Sequence, residues 1–210
     1  MVNQSDLFYL CSLIEVIGRK QKLTRKDVVD ALGKENIDRI YRQAEILHCE
    51  PIEKIADEYI DYVNIPEGDF DNVSKCRYTV PDHWTIGKVY QRLIEDTLNG
   101  DDLAGHVIRV YHSWVSDGIS DYNTDFYYQP RGYISLCYKE DKAVTVHCLF
   151  YSAYSEASCD LEINGHILKH HEVSCRHAGN ELILFYLYFS HKTVLLSYLS
   201  IILSIKNIIP

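Results

Sequence analysis

The chain has 210 residues, 47% hydrophobic and 24% charged, with only 10 glycines and 5 prolines, which excludes collagen-like, low-complexity and mainly disordered classes. A formal net charge of −9 argues against a surface that wraps nucleic acid, because phosphate binding is driven by lysines and arginines that release counterions. The seven cysteines are odd in number, widely spaced and never in a CxxC pair, so they read as reduced thiols; with no basic-then-apolar leader after Met1, a cytoplasmic protein is expected.

Positions 1–66 carry helical periodicity throughout. Leu7, Leu10, Cys11, Ile14 and Ile17 recur at three- and four-residue steps behind Ser5, a good N-cap, and Gly18 suits the exit of this first helix. Thr24 and Asp27 have capping-box spacing ahead of Val28, Val29, Ala31 and Leu32, and Gly33 can take the left-handed position that ends a short second helix. Asn36 is expected to cap a third, with Ile37, Ile40, Tyr41 and Ala44 on its apolar face. Pro51 opens a fourth, in which Ile52, Ile55, Ala56, Tyr59, Ile60 and Val63 run down one side. Residues 64–71 read as linker.

Beyond Pro81 the stripe Ile86, Val89, Tyr90, Leu93 and Ile94 predicts a further helix that Gly100 ends. Asp101 opens the next, where Leu103, Val107, Ile108, Tyr111, Trp114 and Val115 keep helical spacing. Ile119, Tyr122 and Phe126 then lead to Pro130, which interrupts or restarts a helix. Charged residues number 42 in positions 1–142 and 9 in 143–210, a break in composition at 142. In the last part, Val144 to Tyr151 is β-prone, and Leu161-Glu162-Ile163 and His166-Ile167-Leu168 flank Asn164-Gly165, the strongest short hairpin cue. Residues 182–205 are mostly apolar, but Ser190, His191, Lys192 and Thr193 split them into stretches too short to span a bilayer. Leu195, Leu196, Leu199, Ile202 and Leu203 keep helical spacing, while the A/T-rich-codon residues of 200–209 suit an extension translated past an ancestral end, the reading favoured over an anchor or a packed layer.

The expected fold class is therefore mainly α: a helical bundle over 1–142, made of an N-terminal helical domain (1–66) and a second helical segment packed on it (67–142). A C-terminal extension (143–210) follows, with a small β-prone hairpin and an apolar helical tail.

No catalytic signature assigns a reaction. Arg19, Lys20, Lys22, Arg25 and Lys26 concentrate positive charge between the first two helices and form the one basic patch, which reads as a solvated turn or as a site for an acidic partner or phosphate. The run Tyr127-Tyr128-Gln129-Pro130-Arg131-Gly132-Tyr133 has the aromatic-plus-arginine composition of a protein interface, so Tyr127, Tyr128, Arg131 and Tyr133 join the basic patch as partner-binding candidates. Residues 23–43 have the outline of a helix-turn-helix presenting Asn36, Asp38, Arg39 and Arg42, although the charges on that second helix nearly cancel. Arg42 and His48 stand at a spacing that resembles metal-independent RNases of the HEPN superfamily; that likeness implies an arginine for the phosphate and a histidine for the proton. His166, His170, Cys175 and His177 are the candidate metal ligands, but only His166 and His170 form a close pair, so no metal or other cofactor is expected. Asp117, Asp121 and Asp125 follow four-residue steps, and His112, Ser113 and Asp117 supply triad residue types without a nucleophile elbow.

Asp6-Leu7-Phe8-Tyr9, Cys11-Ser12-Leu13-Ile14-Glu15, Leu47-His48-Cys49-Glu50 and Ile55-Ala56-Asp57-Glu58-Tyr59-Ile60 resemble a small bacterial helical domain family of unknown function. Members of that family are often encoded beside a protein similar to ADP-ribosyltransferase toxins. Gly68-Asp69-Phe70-Asp71-Asn72-Val73, Ile86-Gly87-Lys88-Val89-Tyr90 and Asp121-Tyr122-Asn123-Thr124-Asp125-Phe126-Tyr127-Tyr128 resemble longer uncharacterised bacterial proteins that end near residue 142. The resemblance implies a non-enzymatic, antitoxin-like interaction protein whose partner is the product of a neighbouring gene. The rivals are a helix-turn-helix regulator of nucleic acid and, behind it, the RNase; neither nucleic acid nor membrane is expected as the main ligand.

Overall fold

The computed structural model describes residues 2–100 and 102–143 and, after them, the backbone of six strands. The chain divides into two compact units, Met1–Lys142 and Ala143–Pro210. The first consists of α1 (Gln4–Gln21), α2 (Arg25–Leu47), α3 (Ile52–Val63), α4 (His83–Thr97), α5 (Leu103–Tyr111), α6 (Trp114–Ser120), a 3₁₀ turn (Phe126–Tyr128) and α7 (Arg131–Lys139).

Helix α1 is the axis of the bundle. Its expected stripe of Leu7, Leu10, Cys11, Ile14 and Ile17 is buried, but so are Tyr9, Ser12, Glu15, Val16 and Gly18, because α2, α3 and α4 all pack on it. A helix covered on every side has no polar face to spare, and its polar residues must find partners inside. Both expected ends shift. Asn3, not Ser5, is the N-cap, its Oδ1 accepting from the N–H groups of Ser5 (3.0 Å) and Asp6 (3.4 Å), and the helix runs past Gly18 to Lys22, which takes the left-handed conformation (φ 50°). Gly18 stays inside the helix because a Cβ there would lie 2.7 Å from Cδ of Arg25, which needs that space.

Thr24 caps α2 as its spacing implies, accepting from the Asp27 N–H (3.2 Å) and donating to the Asp27 carboxylate (2.6 Å). The two short helices expected on either side of Gly33 are halves of α2, broken at Gly33 (φ 68°, ψ 164°). Asn36 does not cap the second half; its Nδ2 donates to the Leu32 carbonyl (2.8 Å) and ties the halves across the break. Pro51 starts α3, which buries Ile52, Ile55, Ala56 and Tyr59 and ends at left-handed Asn64 (φ 57°). The linker after it is pinned to the end of α1: the N–H of Gly68 donates to Gln21 O and that of Phe70 to Lys22 O, both at 2.7 Å.

Helix α4 crosses α1 closely enough that a Cβ on Gly87 would meet the Ser12 backbone N and Cα at 2.9 Å. It ends at Thr97, before Gly100, and the α5 cap is Asp102, whose Oδ1 accepts from the Gly105 N–H (3.0 Å), rather than Asp101. Trp114 begins a separate helix, α6, and Pro130 restarts the chain as α7. Asp117, Asp121 and Asp125 consequently do not share a helical face: Asp121 is the C-cap of α6 and Asp125 precedes the 3₁₀ turn. Among the described residues no helix is long and apolar enough to cross a membrane.

The second unit contains β1 (Val146–Ala153), β2 (Glu156–Ile163), β3 (His166–Leu168), β4 (Val173–His177), β5 (Ile183–Phe189) and β6 (Lys192–Thr193), arranged β1-β2-β3 and β4-β5-β6. The hairpin expected around Asn164-Gly165 is the β2–β3 pair, with Ile163 opposite His166 and Leu161 opposite Leu168. The first part of the apolar stretch, Ile183–Phe189, is a strand paired with β4. The helical spacing of 195–203 and the A/T-rich run 200–209 lie outside the described residues.

Candidate partner-binding groove

A buried polar network in the bundle centres on Glu15, 1% exposed, and Arg25, 1% exposed. Arg25 Nε donates to Glu15 Oε2 (2.6 Å) and Nη2 to Oε1 (2.8 Å), a bidentate fork. Arg19 Nε donates to Oε1 (2.6 Å), and the Tyr122 hydroxyl donates to the same oxygen. Arg25 Nη1 reaches Leu23 O (2.8 Å), Arg19 Nη2 reaches Pro81 O (2.9 Å), and Asn72 ties Arg25 to Ser120 O (2.8 Å). Burial alone would raise the Glu15 carboxyl; the Arg25 and Arg19 guanidiniums and the Tyr122 hydroxyl outweigh it and hold the group below the usual carboxylate range. Burial and the Glu15 charge push Tyr122 up to about 12. Every member is spent on its neighbours, so this network fastens α1, α2, the 64–82 connection and the 121–125 loop.

That construction dissolves most of the expected basic patch. Arg25 is inside, Arg19 is bonded to Glu15, Lys20 pairs with Asp57 (2.5 Å) and Lys22 with Glu67 (2.9 Å), leaving Lys26 as the exposed cation with no ion pair among the described residues. The residues lay together in sequence, but the helix turn at 22–24 sends their side chains to different neighbours.

An open groove among the described residues lies elsewhere, between α4 and the segment that enters α7. Asp82 Oδ1 accepts from the Thr85 N–H (2.6 Å) and sets the start of α4. From there Trp84, Lys88 and Arg92 follow at four-residue steps and therefore stack on one face. Opposite them stand Tyr127, Tyr128 and Gln129, with Val89 and Leu93 of α4 and Ile134 of α7 completing a groove of about 470 Å³. Trp84 rests on Phe8 at 5.5 Å between ring centroids, and the Lys88 ammonium sits 5.2 Å over the same ring. Tyr127 is buried against Tyr122 (6.0 Å) and supports the Tyr128 ring at 4.4 Å, so Tyr128 is held in place although 73% exposed. Arg131 lines one end but is committed: Nε and Nη2 fork onto Asp96 (2.7 and 2.6 Å), and Nη2 also reaches Glu95 (3.2 Å), joining α7 to α4.

Of the aromatic candidates, the structure brings Tyr127, Tyr128 and Arg131 to the groove and places Tyr133 outside its lining, packed on Phe126 at 6.3 Å. Sequence reasoning missed Trp84, Lys88 and Arg92. Their i, i+4, i+8 spacing carried the signal, masked because Val89 was counted into the core stripe whereas it is half-buried and lines the groove.

The remaining candidates do not converge. Arg42 is exposed and paired with Asp38, while the exposed His48 has Nδ1 3.2 Å from the Ala44 carbonyl of its own helix; neither lines the groove. Arg39 donates to the Tyr62 hydroxyl (3.1 Å) and lies over its ring, so the cations of the supposed recognition helix are engaged within the bundle. His112 Nε2 meets Asp30 (2.6 Å) and Ser113 Oγ donates to Val110 O (2.6 Å), which separates the three triad residue types. No group of three metal-ligating side chains occurs among the described residues; His170 and the side chains of His166, Cys175 and His177 lie outside them. No family model, curated protein or solved structure matches the chain.

Proposed function

We propose that the chain is a non-enzymatic protein-interaction module, antitoxin-like in a bacterial toxin–antitoxin-type gene pair, that docks its partner in the groove between α4 and the Tyr127–Ile134 segment. One observation carries the reading: two large aromatic rings, Trp84 of α4 (40% exposed) and Tyr128 of the 3₁₀ turn (73% exposed), are held in the open in the lining of one groove. Rings braced from behind lose little side-chain freedom on binding and offer large contact area, the property that makes tryptophan and tyrosine binding anchors. The partner class follows from the sequence resemblance, which points to the product of a neighbouring gene, in the cytoplasm.

Co-expression of the tagged full-length chain with the neighbouring gene product tests this. The expected result is a stable complex that Tyr128→Ala weakens and that a substitution at the distant exposed Ile46 leaves intact. Loss of binding on Ile46→Ala with Tyr128→Ala unaffected contradicts the groove as the docking site. The regulator reading finds less support, because Arg39 and Arg42 are already engaged.

A further inference from the structure

Around the groove, hydrogen-bond donors and acceptors are unequally committed. The carboxylates beside it already hold donors: Asp82 caps α4 through Oδ1, Glu95 accepts from Gln91 Nε2 (2.6 Å) and from Arg131, and Asp96 receives the Arg131 fork. Lys88, whose ammonium lies over Phe8, and Arg92 have no ion pair among the described residues, and they stand four residues apart on the face of α4 that lines the groove. On a chain of net charge −9, two adjacent cations without carboxylates in a groove that exposes two aromatic rings give it a local charge complementary to an acidic ligand.

Resting on the interaction reading above, we infer that the groove receives an acidic segment of the partner protein, with carboxylates on Lys88 and Arg92 and an apolar side chain seated between Trp84 and Tyr128. The Arg92 guanidinium matches a carboxylate with two parallel N–H bonds, while Lys88, already drawn over Phe8, supplies a point charge. Polynucleotide would use the same kinds of group, stacking bases on aromatics and pairing phosphates with cations. Two unpaired cations release too few counterions to hold a nucleic acid against the acidic remainder of the chain, which favours the peptide.

The probes are fluorescein-labelled poly(Glu,Tyr), poly(Lys,Tyr) and an oligothymidylate, titrated with the full-length chain and read by fluorescence anisotropy. Poly(Glu,Tyr) is expected to bind, to weaken as salt rises from about 0.05 to about 0.3 M, and to lose about tenfold in affinity on Arg92→Glu, since removing one charge contact and adding a repulsion amounts to about 1.4 kcal/mol. Lys88→Gln should weaken it less, Lys26→Glu not at all, and all three variants should melt with the parent. Poly(Lys,Tyr) should not bind. Equal binding of acidic and basic copolymers, or indifference to Arg92→Glu, overturns the acidic segment and leaves the aromatic docking surface standing. Preference for the oligothymidylate overturns both. If neither copolymer binds, the acidic segment is again overturned, while the interaction reading is decided separately by co-purification with the neighbouring gene product.

Discussion

Replacing Arg25 with methionine removes the guanidinium and keeps most of the apolar stem. In the native bundle Glu15 Oε2 accepts from Arg25 Nε alone among the described residues, whereas Oε1 also has Arg19 Nε and the Tyr122 hydroxyl. Arg25→Met therefore strands one oxygen of a carboxylate that is 1% exposed, and it releases Leu23 O and Asn72 Oδ1 as well. Breaking one side of a buried ion pair costs about 3–5 kcal/mol; Arg19 stays on Oε1, but the carboxylate loses the two-donor fork of Arg25 without regaining water. For a chain of this size that corresponds to a fall of roughly 10–15 °C in Tm, followed through the helical circular-dichroism signal of the full-length protein. The double variant Glu15→Met with Arg25→Met removes both charges, and Arg19 keeps Pro81 O and the Tyr122 hydroxyl; it should be more stable than Arg25→Met alone. A single-variant loss below about 1 kcal/mol, or a double-variant loss equal to the sum of the two singles, refutes the claim that the pair acts as one buried unit.

Gly87→Ala places a methyl 2.9 Å from Ser12 backbone atoms that cannot rotate away, so α1 and α4 must separate; an unfolding loss of about 1–3 kcal/mol is expected despite the better helix propensity of alanine, measured by urea denaturation. His106 is held below the usual histidine value by burial and then by Arg109, as His83 is by burial. For a depressed pKa the unfolded state takes up protons first, so stability is full above about 6.5 and declines as pH falls through the folded value. Urea midpoints should drop between about pH 7 and pH 5.5, and His106→Gln should drop less than the parent; an equal fall in both contradicts it.

What the sequence disclosed and what it concealed divide along range of interaction. Leu7, Leu10, Cys11, Ile14 and Ile17 announced α1, Thr24 and Asp27 the start of α2, and Pro51 and Pro130 the starts of α3 and α7, because each signal is complete within a few residues. The C-terminal end of α1 was misplaced for a tertiary reason: Gly18 looks like a terminator, yet it is kept small to admit Arg25. Likewise the run from Arg19 to Lys26 reads as a cationic patch until Glu15, Asp57, Glu67 and Tyr122, the last 97 residues from Arg25, are brought to it. The groove was half legible. Tyr127, Tyr128 and Arg131 stood out by composition, but Trp84, Lys88 and Arg92 matter only because α7 brings the Tyr127–Tyr128 turn against their face of α4.

Hydrogen–deuterium exchange on the full-length chain, alone and in complex with the neighbouring gene product, tests the docking surface most directly. Slowed exchange concentrated in 82–93 and 126–134 is the predicted result. Protection centred on 36–47, or a complex whose footprint leaves 82–93 and 126–134 unchanged, contradicts it.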